Sequence, residues 1–158
     1  MAVIIMQSII SQLKNNYPNF TFSKAHHFSW DPTKNIIFFN EEDKDCSILI
    51  LHELAHAILK HNEYHRDIEL ISMECKAWDK SKIIAKEYGI KIDENVIQSA
   101  LDTYRDWMHQ RSLCPSCGAT GLQSDIHTYK CLACKNSWQV NEARQCALRR
   151  YNNKKERA

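Results

Sequence analysis

Apolar positions recur along this chain with two different periods, and the change of period marks out its elements. Val3, Ile4, Met6, Ile9, Ile10 and Leu13 follow helical spacing, interrupted by Gln7, Ser8, Ser11 and Gln12. That pattern predicts an amphipathic helix over residues 3–15, closed by Pro18, rather than a signal peptide. Residues 21–40 are β-branched and aromatic. Asp31-Pro32-Thr33-Lys34-Asn35 supplies a turn, so a hairpin is expected with strands near 21–30 and 35–40, the second short and continuously apolar. The acidic residues within 41–45 favour the start of a helix in the greasy run that follows, with Asp45 or Ser47 as N-cap. Further helices are expected over 66–88, stopped by Gly89, and from Asp93 to near 111. The last carries Val96, Ile97, Ala100, Leu101, Tyr104, Trp107 and Met108 as its stripe.

The first greasy run interrupts its own logic with His52-Glu53-x-x-His56, set among Ile48, Ile50, Leu51, Leu54, Ala55, Ile58 and Leu59. Residues four apart on a helix stand one above the other, so His52 and His56 can offer two nitrogens to one ion. Glu53 lies about 100° round the helix, placed to take a proton from a water that zinc has made acidic. A metal also removes the cost of burying unpaired imidazoles.

An open catalytic zinc site takes a third protein ligand. In the next helix Glu74 falls in the middle of the apolar stripe Leu70, Ile71, Ala77, Trp78, Ala85 and Tyr88, where a carboxylate needs a partner. Glu69 shares a face with Met73 and Lys76 and reads as solvated; Asp67, near the helix start, reads as a cap or dipole partner. His61 and His65 follow His56 at five and nine residues and compete for the same role, His65 more directly; the favoured third ligand is Glu74. Tyr64, His65 and Tyr88 are candidate oxyanion stabilisers, and residues 35–40 form a candidate edge strand for a bound peptide.

The run Leu51 to His61, followed by Glu74 in Met73-Glu74-Cys75-Lys76-Ala77-Trp78-Asp79, resembles the ImmA/IrrE group of gluzincin-type metallopeptidases over about residues 1–110. The resemblance implies an α+β, zincin-like helical domain with a small β-hairpin or sheet. It also implies zinc held by His52, His56 and Glu74, with Glu53 as general base. A second resemblance is to SprT-like proteases, which also join an HExxH domain to a C-terminal zinc ribbon; the segment His127-Thr128-Tyr129-Lys130-Cys131-Leu132-Ala133-Cys134 is similar to the second half of theirs.

From Cys114 onward the texture changes to one rich in Cys and Gly. Cys114, Cys117, Cys131 and Cys134 form two Cys-x-x-Cys pairs separated by thirteen residues. Four thiolates fill a tetrahedral shell, so a structural zinc is expected there, in a unit too small to fold on its own core. His127 reads as a surface residue, and Cys46, Cys75 and Cys146 as ordinary thiols. Basic residues cluster around and beyond this ribbon: Lys130, Lys135, Arg144, Arg149, Arg150, Lys154, Lys155 and Arg157, with Tyr129 and Trp138 interleaved. Such a set suits a nucleic-acid surface, and suits equally a solvated tail on a ribbon that binds protein.

Composition bounds these readings. The 158 residues, 44% hydrophobic and 25% charged, suit one domain with a core and a small appendage. A net charge of +2 does not by itself argue for nucleic acid, and no apolar run is long enough to span a bilayer. Seven cysteines, four of them in metal-type pairs, favour a reducing compartment, here the cytoplasm. The expected organisation is a zincin-like metallopeptidase domain over 1–111, a small four-cysteine zinc ribbon over 112–140 and a basic tail over 141–158. The expected function is a zinc-dependent metallo-endopeptidase with two zinc ions per chain, cleaving a protein or peptide, its ribbon and tail recruiting nucleic acid or a protein partner. The alternatives are a SprT-like DNA-associated protease and a non-proteolytic nucleic-acid-binding or regulatory zinc protein.

Overall fold

The stripe at the start of the chain forms α1 (Ala2–Asn16), whose Ile10 and Leu13 are buried. The computed structural model describes residues 2–144 and 146–152, and side chains from Ile9 onward. Within them the chain is α+β, with four helices and two small sheets. It divides into two units, one of residues 1–63 and 73–97, the other of 64–72 and 98–158.

In the first unit, the region expected to be one hairpin yields three strands: β1 (Thr21–Lys24), β2 (Ser29–Asp31) and β3 (Ile36–Phe39). The turn at Asp31 is as anticipated, with its carboxylate accepting from the Thr33 and Lys34 backbone N–H groups at 3.0 Å each. The long first strand is instead broken between Lys24 and Ser29, and β1 pairs parallel with β3 while β2 pairs antiparallel with it. The order β1-β3-β2 therefore makes the apolar Ile36–Phe39 strand central, not an edge. This corrects the expectation that it could pair with a peptide, because both of its edges are already occupied.

Helix α2 (Cys46–Ile58) packs on β3 and β2. Its Ile50, Leu51, Leu54 and Ala55 join Leu13, Phe22, Ile37 and Phe39 in one core with Ala77, Ile84 and Ala85. Asp45 occupies the N-cap position, but its backbone carbonyl, not its carboxylate, accepts from Ile48 and Leu49. Helix α3 (Asp67–Glu87) stops where expected, with Gly89 at φ 65°. That left-handed turn is one glycine adopts without steric cost. Helix α4 (Glu94–Ser112) is capped as expected by the Asp93 carboxylate, which accepts from the Asn95 N–H at 2.9 Å. No helix among the described residues is long and apolar enough to cross a membrane.

The second unit holds an antiparallel sheet in the order β4 (Leu122–Asp125), β5 (Thr128–Lys130), β6 (Ser137–Val140) and β7 (Arg150–Asn152). The expected basic tail thus contains a paired strand, β7 lying along β6; Lys154, Lys155 and Arg157 lie outside the described residues. Tyr129 and Trp138 are buried and stacked, with ring centroids 5.6 Å apart. They form the ribbon's core with Cys114, Cys131 and Val140. They are therefore not free to stack on bases, which corrects the reading of them as interleaved surface aromatics. Gly121 permits the closeness of this packing, since a Cβ there would lie 2.3 Å from the Trp138 ring.

Asp67 is 1% exposed and caps nothing with its carboxylate. It accepts from Arg111 Nε at 2.7 Å and Nη2 at 3.3 Å, from Gln123 Nε2 at 3.2 Å, and from the Tyr129 hydroxyl. Arg111, 2% exposed, also donates to the carbonyls of Ile126, Asn141 and Glu142. The N-terminal turn of α3 is instead capped by Glu69, exposed as expected, whose carboxylate accepts from the His65 and Arg66 N–H groups. A buried pair satisfied on both sides is costly to break from one side, because the remaining charge keeps its desolvation penalty. Arg111→Leu is expected to destabilise the protein by about 3 kcal/mol. Denaturant unfolding followed by tryptophan fluorescence measures it, and a loss within about 0.5 kcal/mol would contradict this role for the pair.

Candidate metal centre

Helices α2 and α3 bring His52, His56 and Glu74 together, each buried at 7%, 8% and 5% exposure. His52 Nε2 lies 3.1 Å from Glu74 Oε2 and 3.1 Å from His56 Nε2, and His56 Nε2 lies 3.5 Å from the same Glu74 oxygen. In a tetrahedral shell with bonds of about 2.0–2.1 Å, ligand atoms sit about 3.3 Å from one another. The observed triangle has that size, and the donor set is one that zinc accepts.

The same triangle is frustrated as a pure hydrogen-bond cluster. If both imidazoles carry a proton on Nε2 to serve the carboxylate, two donors face each other at 3.1 Å. If either lacks it, one contact with Glu74 becomes a repulsion between lone pairs. A shared cation resolves the conflict, since all three atoms then present lone pairs to it. His52, His56 and Glu74 thus fit a metal ion.

The charges respond to this crowding. Burial pushes the Glu74 carboxyl up, but hydrogen bonds and positive charge from His52 and His56 outweigh it and hold the group well below the usual carboxylate range. Burial lowers His52, with the hydrogen bond to Glu74 opposing. Trp78, one turn beyond Glu74, stacks on the His52 ring at 4.1 Å between centroids. His52 Nδ1, Trp78 Nε1 and Ser81 Oγ are buried without a hydrogen-bond partner among the described residues.

Glu53, half-buried, is outside this triangle. Burial and the Glu74 charge raise its carboxyl to about 7, with His56 and the Trp30 backbone in β2 acting in the opposite direction. An acid group with that value can hold or release a proton at neutral pH. The Trp30 backbone belongs to edge strand β2.

Of the competing histidines, neither joins the triangle. His61 sits on the far side of His56, its Nδ1 2.8 Å from His56 Nδ1. Burial and the neighbouring His56 lower its own value to about 4. His65 contributes its backbone to the Glu69 cap, and the Tyr88 hydroxyl accepts from Asn16 at 2.8 Å. Sequence reasoning missed Trp30, whose backbone lowers the Glu53 carboxyl and whose indole Nε1 donates to the His61 carbonyl at 3.1 Å. No local pattern marks that residue.

Cys114, Cys117, Cys131 and Cys134 form a second group that could hold a metal ion. Cys114 Sγ lies 3.6 Å from Cys134 Sγ, and Cys117 Sγ 3.6 Å from Cys131 Sγ. Bonds of about 2.3 Å in a closed tetrahedron place sulfur atoms about 3.8 Å apart, which these separations approach. Each knuckle ends in a left-handed residue, Gly118 at φ 74° and Lys135 at φ 64°. Burial raises the Cys114 thiol, but N–H groups of Ser116 and Cys117 bring it down to about 6. The backbone of Cys134 is the main influence lowering Cys131. One thiol of each knuckle is thus biased toward the thiolate that metal ligation needs, whereas the side-chain contacts of Cys117 with Cys134 and Cys131 outweigh a backbone hydrogen bond and push its thiol up to about 12. His127 is exposed and outside the group. Cys46 is a fully buried core thiol, Cys75 is half-buried and Cys146 is exposed.

The basic candidates are all exposed, but not equally uncommitted. Arg144 lies over the Tyr104 ring at 3.9 Å, and Arg150 donates to the Leu113 carbonyl at 3.0 Å. Lys130, Lys135 and Arg149 extend from the ribbon surface. Comparison with protein-family profiles, curated proteins and solved structures finds no match to this chain.

Proposed function

We propose that this chain is a zinc-dependent metallopeptidase of the gluzincin type, resembling the ImmA/IrrE group, acting in a reducing compartment such as the cytoplasm. The observation that carries the reading is the convergence of His52, His56 and Glu74 at 3.1–3.5 Å beside Glu53. These three side chains would hold the zinc; when bound, it supplies Lewis acidity toward a carbonyl oxygen and toward the attacking water. The carboxylate donor supports a gluzincin-like site over a SprT-like one, whose third ligand is a histidine.

Glu53 is the general base: its carboxylate accepts the proton of the attacking water and returns it to the leaving amine. The Trp30 backbone beside it favours the ionised carboxylate that this role needs. Because Trp30 lies in an edge strand, a substrate in extended form would lie along β2 and close to the base. The four-cysteine group would hold a second, structural zinc with no open position. Exposed Lys130, Lys135 and Arg149, near the exposed apolar Leu122, Leu132 and Tyr151, would recruit the substrate protein or a nucleic acid that carries it.

The test is hydrolysis of an unfolded-protein substrate by wild type and by Glu53→Gln at equal zinc content. Zinc-dependent cleavage lost in the variant supports the reading. Two bound ions with no cleavage of any substrate would instead favour a non-proteolytic, regulatory zinc protein.

A further inference from the structure

We propose that His61 is a positioning residue for the metal centre, holding His56 in the one tautomer and ring orientation that turns Nε2 toward His52 and Glu74. The inference rests on the metal site proposed above and goes beyond its ligand set. His56 carries two ring nitrogens with different surroundings. Nε2 lies 3.1 Å from His52 Nε2 and 3.5 Å from Glu74 Oε2, inside the triangle, while Nδ1 lies 2.8 Å from His61 Nδ1, outside it. A neutral imidazole that gives its Nε2 lone pair to an ion keeps its proton on Nδ1, where it can donate to an acceptor in reach. His61 Nδ1 is the acceptor, with its own proton on Nε2. The interaction is directional, the two rings standing edge to face at 69° with centroids 4.9 Å apart.

The chain is arranged to put His61 there. Lys60 adopts a left-handed conformation at φ 55°, an uncommon one for a residue with a side chain. That turn reverses the path after α2, and the His61 N–H donates to the His56 carbonyl at 3.0 Å. On its other side the His61 carbonyl accepts from the Trp30 indole at 3.1 Å. His61 is therefore fastened through its own backbone to both the ligand helix and edge strand β2, while its side chain is left to serve His56. A ligating histidine normally donates its second ring nitrogen to a partner that fixes ring and tautomer, and loss of that partner weakens metal binding by about 10–100-fold.

The test compares His61→Leu and His61→Asn in the full chain, measuring by native mass spectrometry how many zinc ions survive rising chelator concentration. Leu fills the volume but cannot accept a proton; Asn offers an oxygen close to the place of Nδ1. The expected result is that His61→Leu loses one of two ions at about 10–100-fold lower chelator concentration, the ion also lost in Glu74→Ala, whereas His61→Asn stays within about threefold of wild type. A packing role predicts the reverse order. The proposal is overturned if His61→Leu retains zinc like wild type, or if both variants weaken equally. A wild type that binds only the ribbon ion overturns the metal centre itself, and so separates the two failures.

Discussion

Glu53→Gln is expected to lower peptide hydrolysis by about a thousandfold while the chain keeps both metal ions and its thermal stability. The substitution preserves the shape of the side chain, and a glutamine oxygen still accepts from an N–H. It removes only the ability to take a proton from the attacking water. The ligand triangle is untouched, since Glu53 stands outside it. Kinetics on one fixed peptide, with ion content measured on the same samples, check this. A loss below about tenfold would move the base to another residue.

The second large effect belongs to the ribbon. Cys131→Ser is expected to remove its ion and abolish the near-ultraviolet circular dichroism of Trp138. The cluster Cys114, Tyr129, Cys131, Trp138 and Val140 is the unit's small apolar core, and two of its five members also belong to the four-cysteine group that could hold a metal ion. Zinc binding in such units contributes on the order of 10–16 kcal/mol, more than so small a core can replace. The strand pairings β4-β5-β6-β7 fall with it. Persistence of the Trp138 signal in a chain lacking that ion would show that the metal does not hold the ribbon together.

The parts of this arrangement visible in the sequence are those that local spacing dictates. His52 and His56 announce themselves at i and i+4, and Glu74 by standing in an apolar stripe, because helical periodicity alone places them on buried faces. The two Cys-x-x-Cys pairs are equally local. Features that depend on distant partners were hidden. Nothing near Asp67 tells that Arg111, 44 residues on, and Tyr129, 62 residues on, complete its coordination. Yet Asp67 stands seven residues before Glu74 and thus on the same face, so the helical periodicity that singles out one carboxylate as buried applies to the other as well. Strand order was hidden for the same reason: β1 reaches β3 across a crossover, and no pattern inside the segment distinguishes that from a simple hairpin.

Some signals were present but unused. In β5 and β6 side chains alternate, so if Cys131 faces inward as a ligand, Tyr129 two residues earlier faces inward with it. The parity of one cysteine thus forecasts the burial of an aromatic that composition alone assigned to the surface. His61 was masked differently, since its value depends on the left-handed Lys60, a conformation that no lysine advertises.

The proposed catalysis requires His52, His56 and Glu74 to hold an ion separate from the ribbon's. Native mass spectrometry of Glu74→Ala and His65→Ala beside wild type decides it. Two zinc ions are expected in wild type, one in Glu74→Ala and two in His65→Ala. Two ions in Glu74→Ala together with one in His65→Ala would contradict this assignment.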